Sequence, residues 1–205
     1  MKHLIILGAG GHGRVIADIA EKTGQFSNIE FLDDARKEMQ GNIKVIGTIR
    51  DYTHYLKEAC FIVAIGNAHV RESLQRQLQS VGAEIATLIH PAAIIGRNVE
   101  IGVGTVIMPG AVINCDVRIG EGVIVNTSCS IDHDCVLDDF VHISVGAHLA
   151  GAVNVGTRTM IGAGATVINN VSIDEDVIVG AGAVVIDGLK EEGIYVGVPA
   201  KKVVK

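Results

Sequence analysis

Asp132, His133 and Asp134 stand consecutively, an imidazole between two carboxylates. A carboxylate beside a histidine orients the ring and raises its basicity, which suits it to take a proton. Asp134 is the expected partner, with Asn126 or Asp132 as further contributors. The plainer alternative is a surface histidine among turn acids. A second grouping, Gly8-Ala-Gly-Gly-His-Gly13, matches G-x-G-x-x-G through Gly8, Gly10 and Gly13. Glycines let a backbone approach phosphates, and a helix N-terminus behind them favours an anion. Asp33 or Asp34, about 20 residues further on, could take ribose hydroxyls. His12 is unusual in such a loop, because phosphate binding needs no imidazole. The alternative is a tight turn that only packs helix on strand. His142 and His148 are six residues apart, and with His133 they raise a zinc site built from adjoining subunits; no metal is assigned.

The elements that must hold these groups differ between the two halves of the chain. From Ile89 to Val185, every sixth residue is Ile, Leu or Val, 17 times without a break. An α-helix has no use for a period of six, and an ordinary strand alternates every two residues. Hexads fit a parallel β-helix in which three hexads complete one triangular coil. Residues about 18 apart should then stack. The aliphatic residue fills the interior, and a small residue four further on fits near the corner. Gly after the aliphatic position, as at Gly96, Gly102, Gly120, Gly156, Gly162 and Gly180, is expected to relieve strain at the bend. His133 falls two residues past inward Ile131, on the outer surface. Its stacked neighbours, Cys115 and Gly151, are small and leave the imidazole room and access.

The first half reads as a small βαβ domain with a parallel sheet, residues 1–88, and residues 89–205 as the β-helix with a C-terminal cap. Strands are expected at His3–Leu7, Ile29–Leu32, Lys44–Ile46, Phe61–Ile65 and Ile85–Leu88, with a helix leading to Gly24 and another from Ala68 to Val81. The Gly66-Asn67 pair ends a strand where ligands of open α/β sheets bind. The domain is too short to offer much sheet for a second nucleotide half, so one nucleotide diphosphate fits it best. With 3% aromatic residues, the core must be aliphatic, as a narrow prism requires. A net charge of −6 argues against nonspecific nucleic-acid binding. Four cysteines without C-x-x-C pairing, and no signal peptide, point to a reducing, cytoplasmic setting. No apolar run is long enough to span a membrane.

The chain resembles, over nearly its whole length, the sugar O/N-acyltransferases that join a small nucleotide-binding domain to a left-handed β-helix. The matching pieces are Gly8-Ala-Gly-Gly-His-Gly13, Phe31-Leu-Asp-Asp34, Ala64-Ile-Gly-Asn67, Asn126-Thr-Ser128, His133, His142-Ile-Ser-Val-Gly-Ala147 and Val196-Gly-Val-Pro-Ala200. The pattern is nearest to bacterial UDP-4-amino-sugar N-acetyltransferases, and sialic-acid O-acetyltransferases share much of it.

The resemblance implies that His133 is the general base for an acceptor amine attacking the thioester of acetyl-CoA. The next residue raises its basicity; where the family carries Glu, this chain has the shorter Asp134. Gly10, Gly11, His12, Asp33, Asp34 and Asn67 would hold the nucleotide sugar, a UDP- or GDP-linked 4-amino-4,6-dideoxy sugar. His142, with backbone near Ala163 and Ala181, would contact acetyl-CoA. A homotrimer with its sites between subunits is implied, serving surface polysaccharide or glycan synthesis. Cys135 is expected to point inward, which favours direct transfer over an acetyl-enzyme. O-acetylation of a sugar hydroxyl is the alternative reaction. A nucleotide-sensing scaffold and a zinc carbonic-anhydrase-like trimer are the remaining readings.

Overall fold

The computed structural model describes residues 2–203. They form two compact units, one ending at Pro91 and the other beginning at Ala92.

The first unit is a five-stranded parallel sheet, with α-helices on the connections from its first strand to its second and from its fourth to its fifth. Strand β1, Lys2–Leu7, buries Leu4 to Leu7 completely, as a strand covered on both faces should. Helix α1, Gly11–Thr23, turns Gly13, Ile16, Ala17, Ile19 and Ala20 inward. Gly24 ends it at φ 64°, a left-handed cap that glycine adopts without a Cβ penalty. Strands β2 (Phe26–Leu32) and β3 (Val45–Gly47) follow, then a 3₁₀ turn at Ile49–Tyr55 that the sequence does not announce. Strand β4 (Ala59–Val63), helix α2 (Ala68–Ser80) and strand β5 (Glu84–Ile85) complete the unit. Of the strand expected at Ile85–Leu88, only Ile85 joins this sheet, as the end of β5; Leu88 falls in a separate two-residue strand, Leu88–Ile89.

Sheet order is β3-β2-β1-β4-β5. The chain moves outward from β1 to β3, then crosses back to β4 on the other side of β1. The crevice beyond the carboxyl ends of β1 and β4 is therefore the topological switch point, where open α/β sheets bind ligands. The loops that open there are Gly8–Gly10 and Ala64–Asn67.

The second unit is a left-handed parallel β-helix with three walls. Wall one contains the strand pairs 94–95, 112–113, 130–131, 148–149, 166–167 and 184–185. Wall two runs from 100–101 through 118–119, 136–137 and 154–155 to 172–173. Wall three runs from 106–107 through 124–125, 142–143 and 160–161 to 177–179, and the chain returns to it at 193–196. Ser130 pairs with Val112 on one side and His148 on the other, a step of 18 residues per coil. The hexad aliphatics fill the interior: Ile131, Ile143, Val167 and Val185 have no exposed surface. Each such side chain is worth about 1.5–3 kcal/mol in burial. Ile89 starts the series but is 38% exposed.

The glycines after the aliphatic position do not serve as expected. None of the six has a left-handed backbone. A Cβ on any of them would come within 2.5–2.8 Å of the adjoining coil or strand, so what they permit is close approach. The left-handed position comes two residues later. Gly104, Gly122 and Gly164 occupy it in some coils, and Asn98, Asp116, Asp134, Asn170 and Asp176 occupy it in others at φ 55–61°. Asn and Asp tolerate that region better than most side chains.

Candidate active site

Asp134 is one of those left-handed corner residues, and its geometry makes the dyad. Its N–H donates to the Cys115 carbonyl at 3.3 Å, fixing the turn against the preceding coil. At φ 60° the short side chain folds back over its neighbour, and Asp134 Oδ2 lies 2.7 Å from His133 Nδ1. Asp132 holds the other side. Its Oδ1 accepts from the His133 N–H at 2.8 Å and from Asn114 Nδ2 at 2.6 Å. The His133 carbonyl accepts from the Ala152 N–H at 2.9 Å. The backbone of this corner is thus pinned by both adjacent coils, and the ring is held by Asp134. The proton that bridges to Asp134 belongs on Nδ1, which leaves a lone pair on Nε2. The bond to Asp134 raises the His133 pKa, assisted by the charges of Asp132 and Asp116. Both members of the dyad face outward, 55% and 63% exposed.

The thiols near this corner are poor nucleophiles. Cys115 is pushed up by its hydrogen bond to Asp116, and Cys135 by burial, with its thiol donating to the Ala150 carbonyl at 3.2 Å. Burial pushes Cys129 up to about 12. A thiol becomes a nucleophile only as thiolate.

His142 lies on wall three, and Ala163 and Ala181 on the corner that follows it. His142 faces outward on wall three, its Nε2 3.2 Å from Asn126 Nδ2, between Ile124 and Met160. Ala163 and Ala181 are exposed at the corner that follows that wall, 18 residues apart. The Ala163 carbonyl accepts from the Gly182 N–H at 2.8 Å. Val145, 49% exposed, precedes them in the same column and extends a small-residue apolar rail. His133 stands at the corner after wall one. Within one chain, then, His133 and the rail occupy two different edges.

In the first unit, Gly8, at φ 110°, donates its N–H to the Leu32 carbonyl at 2.8 Å, and a Cβ there would meet the Ala64 carbonyl oxygen at 3.0 Å. The two crevice loops touch at this point. A Cβ on Gly13 would fall 2.0 Å from the Gly8 carbonyl oxygen, so α1 can sit this close only on glycine. Gly10 and Gly11 open outward, and the α1 N-terminus has no side-chain cap. Behind them, burial and then the Arg71 guanidinium lower the His12 pKa to about 4, so the ring is neutral, and its buried Nε2 has no partner among the described residues. Arg71 is itself buried; Nη1 donates to the Ile65 and Gly66 carbonyls at 3.0 and 2.9 Å. Burial lowers its pKa to about 10, which leaves it charged. Nothing in the sequence pattern singles out Arg71.

Asp33 is 8% exposed and ties the loops together. Its Oδ2 accepts from the Ala9 N–H at 2.7 Å; its Oδ1 accepts from the Ala35 and Arg36 N–H groups at 2.8 and 2.7 Å. Burial alone would raise its pKa, but these three donors hold it below the ordinary value. Asp34 Oδ1 accepts from the Ile49 N–H at 2.9 Å, and Asn67 caps α2 by accepting from the Val70 N–H at 3.1 Å. These three residues build the crevice loops. A cavity of about 260 Å³ adjoins Asp33, lined also by Arg36, Lys37, Gly47 and Thr48. Among the described residues, no group of three or more His, Cys, Asp or Glu is placed to hold a metal.

This architecture is shared with solved structures. The acetyltransferase domain of PglB from Neisseria gonorrhoeae is 37% identical, superposes with a TM-score of 0.97, and is matched over 99% of this chain and 100% of that one. The same domain has been solved with acetyl coenzyme A. The chain belongs to the sugar N-acetyltransferase family. Another member, the perosamine N-acetyltransferase from Caulobacter crescentus, is 33% identical with a TM-score of 0.95 over 100% of this chain and 98% of that one; its structure holds CoA and GDP-perosamine. Residues 3–78 match the PglD N-terminal domain family. The UDP-N-acetylbacillosamine N-acetyltransferase of Bacillus subtilis is 37% identical over 108 residues, which is 51% of this chain and about half the length of that relative.

Proposed function

We propose that this protein transfers acetyl from acetyl-CoA to the 4-amino group of a nucleotide-linked 4-amino-4,6-dideoxy sugar. The observation that carries the proposal is the 2.7 Å contact between His133 Nδ1 and Asp134, which leaves Nε2 free. The amine nitrogen attacks the thioester carbonyl carbon while Nε2 takes its proton. The C–S bond then breaks, and the imidazolium returns that proton to the departing CoA sulfur. Asp134 holds the ring and its charge throughout. Because the thiols are protonated, attack is direct and both substrates are bound together.

His142, Ala163 and Ala181 are assigned to acetyl-CoA, and Gly10, Gly11, His12, Asp33, Asp34 and Asn67 to the nucleotide sugar. The N-terminus of α1, which has no side-chain cap, suits a diphosphate. Relatives with UDP- and GDP-linked names support the substrate class, and we favour UDP. Base and rail lie on different corners of one prism, which supports a homotrimer whose sites each take one corner from two chains. No described helix is long and apolar enough to cross a membrane; we place the enzyme in the cytoplasm, where acetyl-CoA is available. The test is to incubate the purified protein with acetyl-CoA and UDP- or GDP-linked 4-amino sugars, and to follow free thiol and product mass. A new amide with stoichiometric CoA supports the proposal. No turnover with any amino sugar, or an ester on a sugar hydroxyl, refutes it.

A further inference from the structure

His133 sits in a column of residues at the corner after wall one: Arg97, Cys115, His133, Gly151 and Asn169, each 18 residues from the next. The imidazole lies over Gly151. A Cβ built there would fall 2.6 Å from His133 Cε1, 2.7 Å from Nε2 and 3.2 Å from Nδ1. The other tight glycines of the prism meet the adjoining coil or strand, but the three nearest atoms at Gly151 are all of this ring. Its backbone is not left-handed, so conformation does not demand glycine. Nor does the coil, since Arg97, Cys115 and Asn169 carry side chains at the same position of their own coils.

We infer that Gly151 is a positioning residue for the acetyl transfer: its missing side chain is the space that the His133 ring occupies while it stays in contact with Asp134. This rests on the reading of His133 as the base. The size of the effect follows from the distances. Ordinary contact begins near 3.4 Å, so a methyl group on Gly151 pushes the ring away by about 0.8 Å. The ring is the far end of a flexible side chain on an open surface, so it moves without unfolding the coil. A displacement of that size at a reacting group costs about 10²-fold in rate.

The test is Gly151→Ala in the full chain, alone and combined with His133→Ala. We expect kcat to fall about 10²-fold, with KM for both substrates and the melting temperature unchanged. The acid limb of kcat/KM should move to lower pH as the ring leaves Asp134, a shift that a merely structural defect does not produce. In the His133→Ala background, Gly151→Ala should cost nothing further. If Gly151→Ala alone fails to fold, the double variant, with the ring gone, must fold; a double variant that also fails overturns the inference. So does a Gly151→Ala enzyme with wild-type kcat and an unmoved limb, or one whose loss persists without His133. An active His133→Ala overturns the base itself. A wild-type-like Gly151→Ala beside an inactive His133→Ala overturns only the role of the glycine.

Discussion

Replacing Asp33 by alanine should loosen the first unit and the loops of its crevice together. The carboxylate accepts three backbone N–H groups, from Ala9, Ala35 and Arg36, at 2.7–2.8 Å. Hydrogen bonds to a charged group are worth about 1.5–3 kcal/mol each when the donor is left unsatisfied, and about 0.5–1.5 kcal/mol where water can substitute. The Ala9 N–H is buried and belongs to the first class; those of Ala35 and Arg36 are partly exposed and belong to the second. The expected loss is about 2.5–6 kcal/mol, a large part of the 5–15 kcal/mol typical of a domain. Asp33→Asn keeps one acceptor oxygen, which can serve the Ala35 and Arg36 pair, so it should lose only about 1.5–3 kcal/mol. The assay is urea unfolding followed by circular dichroism at pH 7, with hydrogen exchange read at the three amides. Because the folded-state pKa is depressed, the contribution is complete above the ordinary value of 3.8 and is lost as pH falls below it. The gap between wild type and Asp33→Ala should therefore close under strong acid. An alanine variant within about 0.5 kcal/mol of wild type, the scatter of ordinary surface substitutions, would refute the reasoning.

Three other outcomes follow from the same coordinates. His12 is held neutral, its pKa lowered from 6.5 to about 4, so the stability of the first unit should drain away between those two values, by about 3 kcal/mol in all; urea midpoints at pH 7 and 4.5 measure this, and His12→Asn should flatten the slope. Cys115→Ser should retain kcat within about threefold, and mass spectrometry should find no acetylated enzyme during turnover, because the protonated thiols leave direct attack as the route. Ile143→Ala opens a cavity in the fully buried prism core and should cost about 2–5 kcal/mol in thermal unfolding without changing the KM for acetyl-CoA.

The prism was legible because its period is rigid: one aliphatic residue every sixth position admits few other folds, and the 18-residue stacking of Ser130 between Val112 and His148 follows directly. The purpose of the glycines was not, since close approach between coils and a left-handed φ both select glycine, and a single sequence does not separate them. Asp134 shows the same limit. Its type suggested a partner for His133, but the contact depends on the corner backbone at φ 60°, which no spacing rule specifies. In the first unit, the glycine motif located the crevice. Arg71 was invisible because a lone arginine in a polar helix looks solvated, whereas here it is buried against the Ile65 and Gly66 carbonyls. Asp33 was legible by position after β2 but not by task, because the sequence does not tell whether a carboxylate faces a ribose or the backbone of its own loops.

The most direct test of the central claim is the single-turnover rate of His133→Ala with saturating acetyl-CoA and nucleotide amino sugar, alongside the Kd of each. General-base catalysis predicts a rate lower by about 10²–10⁴-fold with both affinities intact. A variant that acetylates at the wild-type rate would contradict it.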